Sequence, residues 1–411
     1  MSEEKNAFSR RDLLRTVSAS VATGALTLGM GNSEAEAQEK LAVAKPKTED
    51  RNSVKTLPRR RLGRTNMMVT VIGTGGSGIT DATILNRAID KGINYIDTAP
   101  AYGDSETVHG EVMKDRRKDV FLATKWWPQG DWSIERCMES LEKSLKALKT
   151  DHVDLLQLHS VDTEEGKRES MQDGYRRIDN PNLHKAMELA KKQGKARYFG
   201  VSSHNPHRKD LLKHAIDTGH FDTILVAFNS MNYEPSGMPE LLEYAKKHDI
   251  GVIGMKAGSG SVKVPNAKPL TAQLAWVLSK DIHTIINSHT TKNDDSQDEC
   301  LAAAKLTIGQ KERDLIERYA AATHNEYCRG CSHICETACP ESVKIGDILR
   351  FEMYHKHYGE NHHEFAKQSY LKLAANERVL SVCGNCRKCE EACLYDLPIV
   401  DKLHYVDREL A

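Results

Sequence analysis

The sequence predicts an α/β fold: a (β/α)8 TIM barrel followed by a small, mostly α-helical domain rich in cysteine. Two observations predict it. From about residue 66 to residue 305, short β-rich runs alternate with amphipathic helical stretches, in eight strand–helix pairs. That alternation is the mark of parallel strands with crossover helices, and eight of them close a barrel. Beyond it, eight of the ten cysteines fall in two tight runs between Cys328 and Cys393.

The N-terminus comes first in chain order. Ser9-Arg10-Arg11-Asp12-Leu13-Leu14-Arg15 places a twin arginine before a mildly apolar stretch, Thr16 to Met30, too short to span a bilayer. Ala35-Glu36-Ala37 then offers small residues for cleavage after Ala37. The pattern resembles a twin-arginine (Tat) signal peptide over residues 1–37. The resemblance implies recognition by the Tat export machinery and a periplasmic product that left the cytoplasm already folded around its cofactors. Residues 38–56 follow as a charged linker without periodicity. No other segment is apolar enough for stable membrane insertion. Lys+Arg and Asp+Glu both total 58, a balance that argues against a nucleic acid partner.

The barrel is expected over residues 57–322. Its candidate strands are 69–73, 94–98, 120–125, 154–159, 198–202, 223–229, 251–256 and 283–287. Helices are expected at 134–148, 183–193, 208–218, 239–248 and 271–279, with Gly92, Gly194 and Gly219 marking helix-to-strand turns. A doubly wound open sheet would place a glycine-rich phosphate loop after the first strand. The cluster Gly73-Thr74-Gly75-Gly76-Ser77-Gly78 looks like one, but no acidic residue follows the second strand in register. Here the glycines instead let the chain pass close under the barrel mouth. One more helix, about 307–322, leads out of the barrel. Residues 343–375 read as helical between the two cysteine runs.

Residues 323–411 form the expected second domain. The runs are Cys328-x2-Cys331-x3-Cys335-x3-Cys339 and Cys383-x2-Cys386-x2-Cys389-x3-Cys393. Three close thiols with a fourth three residues on is the spacing that wraps a cubic iron–sulfur cluster. Two [4Fe–4S] clusters are therefore expected in a ferredoxin-type domain. Zinc and disulfides are the competing readings. In two-cluster ferredoxins the fourth cysteine of each run ligates the other cluster. On that rule Cys328, Cys331, Cys335 and Cys393 hold one, and Cys383, Cys386, Cys389 and Cys339 the other. The first run has one residue more than usual between its second and third cysteines. His333 lies in that insertion and reads as a solvated loop residue. Cys137 and Cys300 stand alone and read as ordinary thiols.

In such barrels chemistry sits at the C-terminal ends of the strands. Four polar residues fall there: Asp97 after strand two, Tyr102 in the loop beyond it, Lys125 ending strand three and His159 ending strand four. Hydride attack on a carbonyl develops an oxyanion that needs a proton. Tyr102 can supply it, with Lys125 lowering the phenol's pKa, Asp97 balancing Lys125, and His159 orienting the substrate oxygen.

These residues carry a resemblance. Leu62-Gly63-Arg64-Thr65, the stretch from Asp97 to Glu106, Ala123-Thr124-Lys125, the stretch from Asp154 to His159, and Gly200-Val201-Ser202-Ser203 resemble the aldo/keto reductases, in the family's order. The whole chain resembles the subgroup that joins this barrel to C-terminal ferredoxin-type clusters. The resemblance implies a tetrad of Asp97, Tyr102, Lys125 and His159, with Tyr102 as general acid. It implies a small carbonyl or alcohol substrate and NADP(H) bound across the mouth. Ser202 and Ser203 would hold the nicotinamide; Lys256, Gly258 and Ser288 would cradle the phosphates. The match departs from the family here: Ser203 replaces an expected Asn, Leu225 an expected Gln, and the loop after strand eight lacks the expected Arg. NADPH, NADH and no nicotinamide all remain open.

Three functions compete. The leading one is an exported oxidoreductase acting on a carbonyl or alcohol, with the clusters relaying electrons to or from a redox partner protein. The second is an electron-transfer or assembly subunit whose barrel serves for docking. In the third, the clusters only clamp the C-terminus.

Overall fold

The computed structural model describes residues 47–128, 132–161, 163–164, 167–168, 171–204, 207–258, 262–287, 294–357, 360–373 and 383–411. The signal-peptide reading and Ser288 lie outside them. Eight parallel strands close into a barrel in chain order: Ile72–Gly75, Tyr95–Asp97, Phe121–Trp126, Val153–Leu158, Ala196–Ser203, Thr223–Ala227, Gly251–Met255 and Thr284–Asn287. The last pairs with the first, Ile285 opposite Ile72.

Alternation along each strand divides its side chains between two cores. Tyr95, Phe121, Ala123, Leu155, Leu225 and Ile253 fill the lumen. Ile96, Leu122, Leu156, Leu158 and Ile224 face outward into the layer beneath the helices. The same period carries Asp97, Lys125, Gln157 and His159 to the top of the lumen.

The first strand departs from expectation. The apolar run expected as one strand, 69–73, is divided. Met67–Thr70 pairs antiparallel with Arg59–Arg61 in a separate sheet, and only Ile72–Gly75 enters the barrel. Both pieces are buried, so hydrophobicity alone cannot mark the break. The hairpin plugs the barrel floor with Leu62, Met67 and Val69, all 0 % exposed. Gly63, at φ 49°, lies so close to strand seven that a Cβ would stand 2.2 Å from Gly251 N.

Part of the expected linker is also built in. Glu49–Asp50 pairs with Met67–Met68. Arg51 makes a two-pronged ion pair with Asp154 at 2.8 and 2.9 Å. Arg117 and Arg197 close on the same carboxylate. The charged residues that read as solvated therefore seal the barrel floor.

Helices cover the outside, several starting where a side chain caps the free amides. Ser133 caps Ile134–Ala147, and Asn180 caps Pro181–Lys192 with proline at the first turn. After the barrel, Gln310–Ala322 leads to a second apolar core. Helices Ser332–Ala338, Ile345–His357, Glu360–Leu371 and Ile399–Leu410 build that core. The helical stretch expected between the cysteine runs is thus two packed helices. Lys47–Ala411 is a single compact unit.

Candidate functional site

Strands two, three and four set three inward side chains at one level. Lys125, 1 % exposed, forms an ion pair with Asp97, 0 % exposed. Its Nζ also donates to the Thr98 carbonyl at 2.8 Å. Gln157 Nε2 donates to the other Asp97 oxygen at 2.7 Å. The carboxylate is thereby held between two donors and cannot turn. Gln157 entered the sequence analysis only as part of the Asp154 to His159 motif, with no role, although the strand-four period places it on the face of His159.

Lys125 Nζ stands 4.9 Å from the Tyr102 ring centre. The Tyr102 ring meets His159 edge-on at 5.7 Å, and Trp127 lies 5.6 Å from His159 on another side. All four expected tetrad residues therefore converge at the mouth. Behind them, buried Glu106 accepts from Thr124 Oγ1 at 2.6 Å, locking the loop that carries Tyr102 to strand three.

The electrostatics correct one expectation. Lys125 was expected to lower the Tyr102 pKa, but the net shift is upward. Burial dominates, and Lys125 only partly opposes it. Tyr102 therefore remains a protonated phenol through neutral pH. Burial disfavours charge on Lys125 too, yet Asp97 and Tyr102 outweigh it and hold its pKa up. Burial, then Lys125 and Arg177, keep His159 well below the usual imidazole range, so it is neutral. Arg177 Nη1 donates to the Ser160 carbonyl at 2.8 Å, which fixes the turn after strand four.

The expected nucleotide residues are less uniform. Ser202 is 0 % exposed. Its hydroxyl accepts from Ser160 N at 2.8 Å and donates to the Leu158 carbonyl at 3.3 Å, so it braces strand four. Ser203 is equally buried, and Leu225 belongs to the lumen core. Lys256 is exposed just after strand seven; its Nζ donates to Tyr354 Oη at 3.3 Å. Gly258 lies beneath Leu270, where a Cβ would meet Leu270 Cδ1 at 2.9 Å.

None of the ten cysteines is in a disulfide. The eight clustered ones surround two cavities. Cys328, Cys331, Cys335 and Cys393 line one of about 310 Å³, open mouth included. Cys339, Cys383, Cys386 and Cys389 line the other, of about 470 Å³. The fold thus brings together the two crosswise sets expected from the spacing. The extra residue in the first run places Cys331 and Cys335 one helical turn apart along Ser332–Ala338. His333 turns to the barrel instead, its ring 5.4 Å from His207. Burial, then the neighbouring thiols, pushes Cys331 up to about 12 and Cys389 to about 11. Among the described residues, no three His, Cys, Asp or Glu converge on a point suited to a single metal ion.

Comparison with known proteins bears on the barrel. Residues 77–273 match the aldo/keto reductase family. An uncharacterized oxidoreductase of Bacillus subtilis, YqkF, is 32% identical over 211 residues, covering 47% of this chain and 63% of that protein. The L-galactose dehydrogenase of Arabidopsis thaliana is 30% identical over 214 residues, with 47% and 63% covered. The chain thus spans less than two thirds of either relative's length. An aldo-keto reductase from Bacillus halodurans, solved in its holo form, shares the fold at a TM-score of 0.51 and 24% identity, over 64% of this chain and 96% of that one. The sequence match over residues 77–273 is thus to the aldo/keto reductase family, and the likeness to the solved enzyme is one of barrel fold.

Proposed function

We propose that this protein is an oxidoreductase that reduces a carbonyl, or oxidises an alcohol, at the barrel mouth. The observation that carries the reading is the Lys125 ammonium, buried between Asp97 and the Tyr102 ring, beside a neutral His159. A neutral imidazole can donate to a substrate oxygen without carrying charge into the pocket. As the carbonyl carbon gains hydride, negative charge grows on that oxygen. The Tyr102 phenol donates its proton there, and Lys125 stabilises the phenolate left behind. Asp97 and Gln157 fix Lys125 for that role. A nicotinamide, when bound, supplies the hydride.

Eight thiols in two sets of four support two [4Fe–4S] clusters: Cys328, Cys331, Cys335 and Cys393 would hold one, and Cys339, Cys383, Cys386 and Cys389 the other. Three buried thiols, Cys331, Cys335 and Cys389, have pKa values pushed up and need a cationic group to persist as thiolates. The clusters, when bound, supply one-electron steps and connect the barrel to a redox partner protein. The twin arginine supports export through the Tat machinery to the periplasm. Cell fractionation checks that: accumulation of an uncleaved chain in the cytoplasm alone would refute it.

The catalytic reading is tested by Tyr102→Phe. Proton donation by a positioned side chain contributes roughly 10²–10⁴-fold. The variant should lose that much in kcat while its KM changes little; undiminished turnover would refute the assignment.

One observation favours the alternative, a barrel kept for docking or electron transfer. Ser202 and Lys256, both expected to face a dinucleotide, are engaged within the chain. Titration of the cluster-loaded protein with NADPH, followed by tryptophan fluorescence, separates the two. Saturable binding in the micromolar range favours the reductase, and no binding favours docking.

A further inference from the structure

The helix Ile345–His357 belongs to the cysteine-rich domain, yet one of its residues stands in the barrel mouth. Tyr354 Oη accepts from Lys256 Nζ at 3.3 Å, and that ammonium lies 6.0 Å from the ring centre. Lys256 directly follows strand seven with a φ of 54°. A left-handed lysine is uncommon, so the turn aims this side chain in a direction ordinary backbone does not offer. On the module side, the Tyr354 ring packs 5.9 Å from Phe365 of the next helix. The phenol lies within electrostatic range of Tyr102.

Two further bonds tie this domain to the loop after strand six. Asn232 Nδ2 donates to the Arg329 carbonyl at 2.9 Å, and Tyr395 Oη donates to the Met231 carbonyl at 3.0 Å. With the His207–His333 contact and the Lys256–Tyr354 bond, the domain is attached to three consecutive loops, after strands five, six and seven. Those loops all lie on the catalytic face, so the attachment covers the mouth from one side.

We propose that Tyr354 is a specificity-determining residue of the barrel site. Its ring, pinned between Lys256 and Phe365, forms an outer wall of the substrate pocket. The pocket is then complete only when the cysteine-rich domain is folded against the barrel. This rests on the carbonyl-reduction reading, since a wall matters only to a substrate held at Tyr102 and His159.

The test uses the full cluster-loaded chain, NADPH, and two aldehydes of different girth, 4-nitrobenzaldehyde and 2-naphthaldehyde. Contacts in such a pocket are worth roughly 10–200-fold in discrimination. Tyr354→Ala should shift the ratio of kcat/KM toward the larger aldehyde by about tenfold or more. The change should lie in KM, with kcat nearly constant. Tyr354→Phe keeps the ring and should keep the native ratio. Lys256→Met leaves the module intact but unpins the ring, and should shift the ratio in the direction of Tyr354→Ala. It also serves if Tyr354→Ala does not fold. An unchanged ratio in Tyr354→Ala and Lys256→Met overturns the proposal. Inactive Tyr102→Phe beside unaffected Tyr354 variants confines the failure to this wall. Active Tyr102→Phe, or a native chain that turns over neither aldehyde, overturns the underlying reading as well.

Discussion

At the scale of single residues, the site depends on which effect dominates at each group. Lys125 attracts negative charge to Tyr102, yet burial of the phenol is the larger influence, so the pKa rises. The sign has a kinetic consequence. A general acid must be protonated, and Tyr102 keeps its proton to a pH above the usual phenol value of about 10. Carbonyl reduction should therefore be level from neutral pH to about pH 10 and fall only beyond it. Alcohol oxidation needs the phenolate and should instead climb through the alkaline range. Rate profiles in both directions check this; a reduction rate already halved at pH 8 would contradict the order of effects. The convergence of Asp97, Tyr102, Lys125 and His159 was legible because each lies at or just beyond a strand end in a recognisable motif. Its electrostatic balance was not, since burial is a property of the assembled pocket.

At the scale of elements, period-two alternation explains both what was read and what was missed. It placed the strands well where polar and apolar residues alternate across the lumen. It missed the break at Val71, because the floor hairpin and the first barrel strand are both buried and equally apolar. The segment around Arg51 was missed for the opposite reason: its charges resemble those of a solvated linker. Only the fold shows that Arg51, Arg117 and Arg197 share Asp154, which is 0 % exposed. Burial opposes ionisation of Asp154, but Arg117 and Arg51 outweigh it and hold its pKa down. Its contribution to stability is thus present above the ordinary carboxylate pKa of about 4 and is lost in acid, as pH falls through the depressed value. Asp154→Ala leaves three guanidinium groups facing one another. It should cost about 3 kcal/mol in urea unfolding at pH 7. A loss below about 1 kcal/mol would show the floor to be no more than a set of surface pairs.

At the scale of the whole molecule, the two cysteine runs interlock. Each cavity takes three thiols from one run and the fourth from the other. Folding of the C-terminal helices and assembly of both thiol sets are therefore one event. On the proposal that these cavities hold [4Fe–4S] clusters, Cys393→Ser should impair the cluster of the first run, and Cys339→Ser that of the second. Iron and sulfide content together with electron paramagnetic resonance distinguish these outcomes. If each substitution instead damages the cluster of its own run, the crossover is wrong.

The sequence by itself determined the alternating barrel, the meeting of Asp97, Tyr102, Lys125 and His159 at its mouth and the crosswise grouping of the thiols. Each is written in local spacing: period two along a strand, a motif at a strand end, three residues between cysteines. Tertiary structure decided what depends on distant segments meeting. It set the upward shift at Tyr102, the use of Ser202 as a brace, the Asp154 floor and the arrival of Tyr354 at Lys256, 98 residues earlier in the chain. No local pattern encodes these, because burial and long-range contacts exist only once the barrel has closed and the C-terminal helices have packed against its loops.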